Sequence, residues 1–413
     1  METRIFQMAR YRRLPREIHM MLLGTLLTRG GYYMAWPFFS ITLFEKFGLP
    51  AIAVGGFLAV ATACGAFSGI YAGYLSDRYG RRAVISISTV VAAIGYMLMS
   101  ASDSLTGYSV SILVVSMGCA QLEACCKALI GDRVTDAGDR EFALYFRYFA
   151  LNIGVAAGAL IGVTAGIANP LTTFMTVGVI HLVYGAVLWA LLRQLEPRKA
   201  AQVPGEQGSF SDACARILGH RAFVTLLICN MLVALVYANF DSTLVQYIAR
   251  SSPDGGRRLV AWLIAVNAAT VTIAQFPVLR LLEARSIELR LTIGLALMFA
   301  AQVGFATAGV KQMSILVLAT IVLSLGELIV FPTFSVKIDR LTPDDLRGSY
   351  FGAGNLYSLG SAVAPLLGGG LLQYLGGTGL FAVLSMICLF VLVLHAVTSR
   401  KEAHVASERP ETV

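Results

Sequence analysis

The sequence predicts an all-α membrane protein with twelve transmembrane helices arranged in two six-helix, pseudo-symmetric bundles. Its 413 residues are 57% hydrophobic and only 14% charged, with a mean hydropathy of +0.72. A soluble protein carries about 25% charged residues, so most of this surface must face lipid. Twelve apolar runs are each long enough to supply the roughly 20 residues of a membrane-crossing helix. The longest polar interval divides these runs six and six.

The elements follow from the apolar runs in chain order. The first bundle, residues 1–195, should contain helices over 18–44, 51–75, 83–102, 107–132, 141–166 and 170–195. A polar cytoplasmic linker, 196–220, follows, and its stretch 210–218 has the pattern of a short amphipathic surface helix. The second bundle, 221–398, should contain helices over 221–247, 258–280, 290–308, 313–336, 347–373 and 377–397. The polar tail, 399–413, is expected to be a disordered cytoplasmic segment.

The distribution of positive charge predicts that both termini are cytoplasmic. With this topology, Arg29 and Lys127 fall within spans. Few of the 32 lysines and arginines lie on the outer side of the membrane. The outer loops contain only Lys46, Arg250, Arg257, Arg258 and Lys311. Cytoplasmic loops normally carry the excess of Lys and Arg, and we therefore expect a multi-pass protein of the bacterial inner (plasma) membrane. The net charge of +8 then lies beside anionic lipid and does not indicate a nucleic-acid partner.

The loop between the second and third helices carries the most specific motif, Gly73-Tyr74-Leu75-Ser76-Asp77-Arg78-Tyr79-Gly80-Arg81-Arg82. Gly80 permits the tight reversal of the chain. Asp77 can accept hydrogen bonds from the exposed N–H groups of a helix N-terminus. The eleventh helix begins near Arg347-Gly348-Ser349 on the same side of the membrane. The alternative is that the loop only anchors the topology.

This order of residues, G-x-L-x-D-R-x-G-R-R, resembles the loop 2–3 signature of the major facilitator superfamily. The resemblance covers about residues 18–398. Within the superfamily, the chain resembles the drug:proton antiporter branch and, more narrowly, bacterial YdeE-type exporters. This narrower resemblance is carried by Thr28-Arg29-Gly30-Gly31, Leu151-Asn152-Ile153-Gly154 and the stretch from Gly326-Glu327 to Pro332. It implies a latch that holds the two halves in the outward-facing state. We assign this gating role to Gly73, Asp77, Arg78, Gly80, Arg81 and Arg147, and we expect Arg147 to pair with Asp132 or Asp77.

Small residues recur in the fifth helix as Asn152-x-Gly154-x-x-x-Gly158-Ala159-x-x-Gly162. Such spacing forms a smooth face on which another helix can pack closely. Antiporter branches of the superfamily have proline at the position of Ala159. This departure leaves the direction of transport open between efflux and uptake.

Five ionisable residues lie deep within predicted spans: Arg29, Glu123, Lys127, Asp241 and Glu327. Each costs about 2.5–3.5 kcal/mol at the bilayer centre on insertion scales, so each should face a cavity or a partner. Glu123 and Lys127 are spaced i, i+4 and can pair on one helix face. In the superfamily, helices 1, 4, 7 and 10 line the central cavity, and all five residues lie on those helices.

We interpret three carboxylates as candidates for proton coupling: Glu327 first, because no cation is close in its own helix, then Asp241, then Glu123, which Lys127 should hold ionised. A static charge network is the alternative. Arg29 either binds a substrate carboxylate or neutralises Glu327. The remaining candidates for substrate binding are Lys127, Tyr33, Tyr237 and Asn239.

No enzyme signature is found, because the sequence lacks G-x-S-x-G, H-E-x-x-H and the Walker sequence. None of the seven cysteines has the spacing of a zinc ligand with histidine, so we expect neither a metal nor a cofactor. The resemblance implies a monomeric secondary active transporter that exports a small organic solute (drug, dipeptide-like compound or sugar) against protons. A proton-coupled uptake symporter is the alternative, and a channel or a non-transporting receptor is less favoured.

Overall fold

The computed structural model describes residues 7–162, 170–193, 209–251, 256–308 and 312–408. All regular elements within these ranges are helical. Several predictions lie outside them: residues 163–166 of the fifth helix, 196–208 of the linker, Lys311, and 409–413 of the tail.

The first half of the chain contains one short and six long helices. They are α1 (Met8–Arg13), α2 (Arg16–Glu45), α3 (Ala51–Tyr79), α4 (Arg81–Ala101), α5 (Leu105–Arg133), α6 (Ala137–Ile161) and α7 (Pro170–Arg193). The predicted amphipathic helix of the linker is present as α8 (Phe210–Gly219). Its Phe210 ring packs edge-on against Tyr71 and Tyr74 of α3, at centroid distances of 5.3 Å and 5.5 Å. The described part of the linker is therefore docked on the first half.

The second half continues with α9 (Arg221–Asp241), α10 (Thr243–Ser251), α11 (Gly256–Leu282), α12 (Ile287–Thr307) and α13 (Met313–Leu341). A 3₁₀ turn (Asp344–Leu346), α14 (Arg347–Gly354), a second 3₁₀ turn (Asn355–Tyr357) and α15 (Ser358–Glu408) complete it. The backbone of α15 is broken at Gly376, whose φ is +68°. The helix also continues to Glu408, into the segment expected to be disordered.

The predicted twelve-span, all-α membrane fold is confirmed. Ten helical stretches of the described residues are long and apolar enough to cross a membrane. The last of them, Asp344–Ser399, is divided at Gly376 and corresponds to two spans. The 30-residue helix α2 corresponds to the first predicted span.

Three local features differ from the simple pattern of apolar runs. The predicted seventh helix is divided at Ser242, where the hydroxyl of Thr243 donates to Asn239 Oδ1 at 2.7 Å. The predicted eleventh helix is interrupted by the turn at Asn355, whose side-chain amide donates to the Ala120 carbonyl at 3.0 Å. Helix α1 was not predicted because it is polar. Arg10 anchors it on the start of α6.

By internal contacts the chain forms two compact units. Unit 1 comprises Met1–Gly219 and Ile338–Ala362, and unit 2 comprises His220–Lys337 and Val363–Val413. The segment 338–362, which belongs to the second half of the sequence, is thus packed with unit 1. The predicted domain boundaries stay a prediction.

Within unit 1, glycines bring α2 and α6 into backbone contact. A Cβ atom on Gly158 would overlap the carbonyl oxygen of Gly30, and one on Gly154 would lie 2.5 Å from the carbonyl oxygen of Leu26. The small-residue face predicted for the fifth helix is therefore a real packing surface. It holds the α2 backbone, and with it Arg29, against α6.

Candidate functional site

Four charged side chains meet in the interior of unit 1. Glu123 Oε2 lies 2.5 Å from Arg147 Nη2 and 3.9 Å from Arg29 Nη2. The other carboxylate oxygen, Oε1, lies 3.0 Å from Lys127 Nζ. One carboxylate from α5 therefore faces three cations, from α2, α5 and α6. The predicted i, i+4 pair of Glu123 and Lys127 is confirmed.

Helix register explains why Arg147 joins this cluster. Glu123 is ten residues before the end of α5 at Arg133, and Arg147 is ten residues after the start of α6 at Ala137. The two helices are consecutive and joined by a short connection, so these positions lie at equal depth. Asp132 is nine residues further along α5, about 14 Å by helix rise. The expected pairing of Arg147 with Asp132 or Asp77 is wrong.

A small cavity of about 40 Å³ borders this cluster inside unit 1. Its walls come from α2, α5, α6 and α7 and include Arg29, Glu123, Arg147 and the imidazole of His181. The Arg29 guanidinium carbon lies 5.8 Å from the centroid of the Tyr32 ring. Tyr32 in turn packs edge-on against Tyr33 at 5.5 Å. The charged groups thus share their surroundings with aromatic rings.

The first-choice proton carrier lies in the middle of α13, in unit 2. Glu327 is 4% exposed, and its Oε2 accepts a hydrogen bond of 2.9 Å from Asn267 Nδ2 on α11. The same amide nitrogen donates to Ser324 Oγ, also at 2.9 Å. A Cβ atom on the neighbouring Gly326 would lie 2.9 Å from the carbonyl oxygen of Gly294, so α12 and α13 pack closely here. This packing places a buried carboxylate within a hydrogen-bonded polar group.

The other candidates of unit 2 lie along the divided seventh helix. Asp241 is the last residue of α9 and its side chain is exposed. It is twenty residues beyond Arg221, about 30 Å along the helix, so it lies in the far part of the span. Asn239 is fully buried and hydrogen-bonds Leu235 and Thr243 through its two amide ends. The ring of Tyr237 packs edge-on against a phenylalanine of α13 at 5.5 Å.

The motif loop makes the hydrogen bonds that its sequence predicts. Asp77 Oδ1 accepts from the backbone N–H of Gly348 at 2.7 Å. Its Oδ2 accepts from the N–H and hydroxyl of Ser349 at 2.8 Å and 2.7 Å. Gly348 and Ser349 are in the first turn of α14, so a carboxylate caps this helix from another segment of unit 1. We call this contact the latch; its gating role stays a prediction.

Glycines allow the two backbones to approach at the latch. A Cβ atom on Gly73 would overlap the Gly348 carbonyl oxygen, and one on Gly352 would lie 2.5 Å from the Gly69 carbonyl oxygen. Gly80 has φ +89° and forms the turn between α3 and α4, as predicted. Of the proposed gating residues in this loop, Arg78 donates to the Tyr74 hydroxyl at 2.9 Å and does not reach the latch.

Ion pairs extend the latch across one end of unit 1. Arg81 lies 2.7 Å from both Asp77 and Asp132. Arg347 lies 3.5 Å from Asp132 and 2.7 Å from Asp339. Arg140 completes the set at 2.6 Å from Asp339. We call these six residues the latch network.

Four members of this network, Asp132, Arg140, Asp339 and Arg347, were not predicted as a group. An internal repeat could have identified them. Asp132-Arg133-Val134-Thr135 is repeated as Asp339-Arg340-Leu341-Thr342, and in each copy an arginine follows eight residues after the aspartate. The aspartate of each copy pairs with the arginine of the other.

An all-α membrane protein with ionised side chains inside its spans is of the class that includes solute carriers. The family model described as Major Facilitator Superfamily matches residues 21–358. The chain therefore belongs to this superfamily. The family resemblance predicted from the loop motif is confirmed.

The curated relatives match over nearly their whole length. The chain is 28% identical to the uncharacterized MFS-type transporter YqjV of Bacillus subtilis, over 92% of this chain and 93% of that protein. It is 24% identical to YdeE of Escherichia coli, over 94% and 97%. It is also 24% identical to a Na⁺, Li⁺, K⁺/H⁺ antiporter of Planococcus maritimus, over 85% and 88%. The predicted similarity to YdeE-type transporters is thus confirmed.

Solved structures show the same fold. The crystal structure of the human organic anion transporter MFSD10 superposes with a TM-score of 0.74 at 16% identity, over 92% of this chain and 100% of that one. At this identity the likeness concerns the fold alone. The chain is therefore a multi-pass membrane transporter of the superfamily, a class whose members move solutes and are generally not enzymes.

Proposed function

We propose that the protein is a proton-coupled secondary transporter that exports a small organic solute across the bacterial inner membrane by alternating access, with both termini cytoplasmic. The observation that carries the proposal is a superfamily fold with two separate polar groups inside its spans, each of which contains a carboxylate. One group is the Glu123 cluster of unit 1. The other is Glu327 with its amide partner Asn267 in unit 2.

Glu327 is a better candidate for proton transfer than Glu123. One of its hydrogen-bond partners is the neutral amide of Asn267, which can remain in place whether or not the carboxyl is protonated. Proton uptake by Glu123 would instead sacrifice contacts with three cations, at 2.5, 3.0 and 3.9 Å. We therefore assign proton transfer to Glu327, with Asp241 as the second candidate. Glu123 orients the cations of the substrate site.

Coupling requires that the two access states differ in proton affinity. Burial favours the neutral form of a carboxyl and contact with water favours the ionised form. A carboxyl that is opened first to one side and then to the other can load and release a proton. Relatedness to a cation/proton antiporter supports proton exchange in this group of the superfamily.

The test uses the full chain in proteoliposomes. A compound is first selected by its reduced toxicity to a strain that lacks its own exporters and expresses this chain. Glu327→Gln should abolish proton-driven transport of that compound, while the variant still inserts in the membrane. Glu288→Gln removes a carboxylate from the first turn of α12 and should transport like the parent protein. Transport by Glu327→Gln at the parent rate contradicts the assigned role.

The direction of transport is decided with an acid-outside gradient imposed on oriented vesicles. An antiporter should release preloaded compound, whereas the alternative, an uptake symporter, should accumulate it. Stimulation by counterflow distinguishes both from a channel, which should show none.

A further inference from the structure

The Glu123 cluster is not balanced in charge. Arg29, Lys127 and Arg147 carry three positive charges and Glu123 carries one negative charge, so the group has an excess of two. Among the described residues, the ion pairs of these three cations converge on this one carboxylate. An uncompensated charge is costly in a low-dielectric interior, so an anion is needed to balance the group.

The three cations differ in how completely they are occupied. The Arg147 side chain is 6% exposed and is engaged with Glu123 at 2.5 Å. Arg29 is 26% exposed and its nearest approach to Glu123 is 3.9 Å, beyond hydrogen-bond distance. Among the described residues, Arg29 is found to make no hydrogen bond, although a guanidinium has five N–H donors. Arg29 is thus the cation whose donors are available to a ligand.

Lys127 and Arg29 lie around the same aromatic ring. The Lys127 ammonium lies 5.8 Å from the centroid of the Tyr357 ring, and Tyr357 also interacts electrostatically with Arg29. Tyr33 also interacts electrostatically with Arg29, and it packs edge-on against Tyr32, whose ring centroid lies 5.8 Å from the Arg29 guanidinium carbon. Both cations can therefore serve a ligand that also packs against aromatic rings.

The cavity limits what can enter between the helices. At about 40 Å³ it holds roughly one water molecule, which occupies about 30 Å³ in the liquid. This volume admits part of an acidic group and excludes a whole organic molecule. Arg29 lines this cavity, whereas Lys127, Tyr33 and Tyr357 are not among its lining residues, so the remaining part of such a ligand lies outside the cavity.

We infer that the transported solute is an organic anion whose carboxylate, or an equivalent acidic group, binds Arg29 and Lys127 against Tyr33 and Tyr357. The inference rests on the proposed transport function and names its substrate class. Arg29 is well suited to this role because its planar donor fork matches a carboxylate. Glu123 prevents the cluster from holding the anion too tightly, since it already neutralises one positive charge.

The binding test uses three probes with one scaffold and different charges: 3-phenylpropionate, 3-phenylpropionamide and 3-phenylpropylamine. Each is added at equal ionic strength to the purified full chain in nanodiscs, and the shift in apparent melting temperature gives its affinity. The anion should stabilise the protein more than the amide, and the amine should not. Equal shifts, a preference for the amine, or no shift with any probe overturns the inference.

Variants locate the site. Arg29→Gln should weaken binding of 3-phenylpropionate by about tenfold or more, because a hydrogen bond to a charged group is worth about 1.5–3 kcal/mol. Arg29→Lys keeps the charge and should lose less. Arg285→Gln, which removes an exposed cation before α12, should bind like the parent protein. If Arg29→Gln does not fold, Lys127→Gln provides the same comparison. Unchanged anion preference in these cluster variants overturns the assignment.

Transport separates this inference from the proposed function. The same probes are added to proteoliposomes that contain a pH-sensitive dye. Proton movement elicited by the anion and lost in Glu327→Gln supports both. Movement elicited by the amine alone keeps the transport function but overturns the anionic substrate. Anion-selective binding with no proton movement for any probe supports the anion site and contradicts proton coupling.

Discussion

The latch offers the sharpest test of how this fold moves, and Asp77→Ala is the perturbation. The carboxylate accepts three hydrogen bonds at the start of α14 and pairs with Arg81 at 2.7 Å. Replacing a helix-capping aspartate by alanine costs about 0.5–2 kcal/mol. The lost ion pair places the expected cost in the upper part of this range. We call the form in which α14 has separated from Asp77 the open form. A loss of 1–2 kcal/mol in the stability of the latch raises the population of the open form by a factor of about 5–30.

A native cysteine reports this opening. Cys125 is fully buried on α5 and interacts with Ser76, next to Asp77. Helix α14 packs against both α3 and α5, so its release should uncover this thiol. When reclosing is fast, the labelling rate follows the open population. Alkylation of Cys125 by N-ethylmaleimide, followed by peptide mass spectrometry, should be about 5–30 times faster in Asp77→Ala.

Two controls make the latch prediction refutable. Asp103→Ala removes the same charge from a residue whose side chain is 98% exposed and pairs with Lys46 at 2.8 Å, and it should leave Cys125 labelling unchanged. Cys388, buried in unit 2, should also keep its rate in Asp77→Ala. Labelling of Cys125 at the parent rate refutes the reasoning. An equal acceleration at Cys388 would mean that the substitution destabilises the whole protein and does not open the latch.

Two further predictions concern packing and pH. Gly158→Ala should lower the free energy of unfolding by about 1–3 kcal/mol, because its Cβ would overlap a carbonyl oxygen of α2. Size-exclusion profiles of the heated protein should show this loss. The control Gly55→Ala, whose Cβ would have no heavy atom within 4 Å, should behave like the parent protein. The hydrogen bond from the backbone N–H of Asp139 lowers the pKa of Asp136 in the folded protein. The ionised Asp136 therefore stabilises the fold fully above its pKa in the unfolded chain, about 3.9. This contribution is lost as the pH falls through the lower pKa of the folded state. Asp136→Ala should therefore lower the melting temperature at pH 7 and have progressively less effect in acid; an equal effect at pH 7 and pH 3 would contradict this.

Local rules of sequence predicted the parts of the site that local geometry determines. The pair of Glu123 and Lys127 follows from helical spacing. The latch follows from an aspartate in a short loop, whose carboxylate can cap the N–H groups at the start of another helix. The partner of Arg147 could not be predicted this way. It depends on the register of α5 against α6, and an error of one turn in either helix moves the partner by about 5.4 Å.

The breaks in the long helices were also beyond the sequence pattern. Asn239 and Thr243 are spaced i, i+4 and would be compatible with an uninterrupted helix, yet the backbone departs from helical geometry at Ser242. The turn at Asn355 depends on a contact with α5, distant in sequence. Hydropathy is insensitive to both, because a broken span is as apolar as a continuous one.

The two charge clusters of unit 1 separate a structural explanation from a functional one. The latch network contains three aspartates and three arginines, so it is neutral and needs no ligand. Such a balanced set can act as a static or gating contact between segments, and its reciprocal pairing from two copies of one repeat fits that role.

The Glu123 cluster has the same kinds of groups but an excess of two positive charges. A network that served only to hold helices together would gain from a second carboxylate there, since removing like-charge excess from a buried site is favourable. The absence of a second carboxylate from the described ion pairs of this cluster is therefore the feature that a static network leaves unexplained and an anionic solute explains.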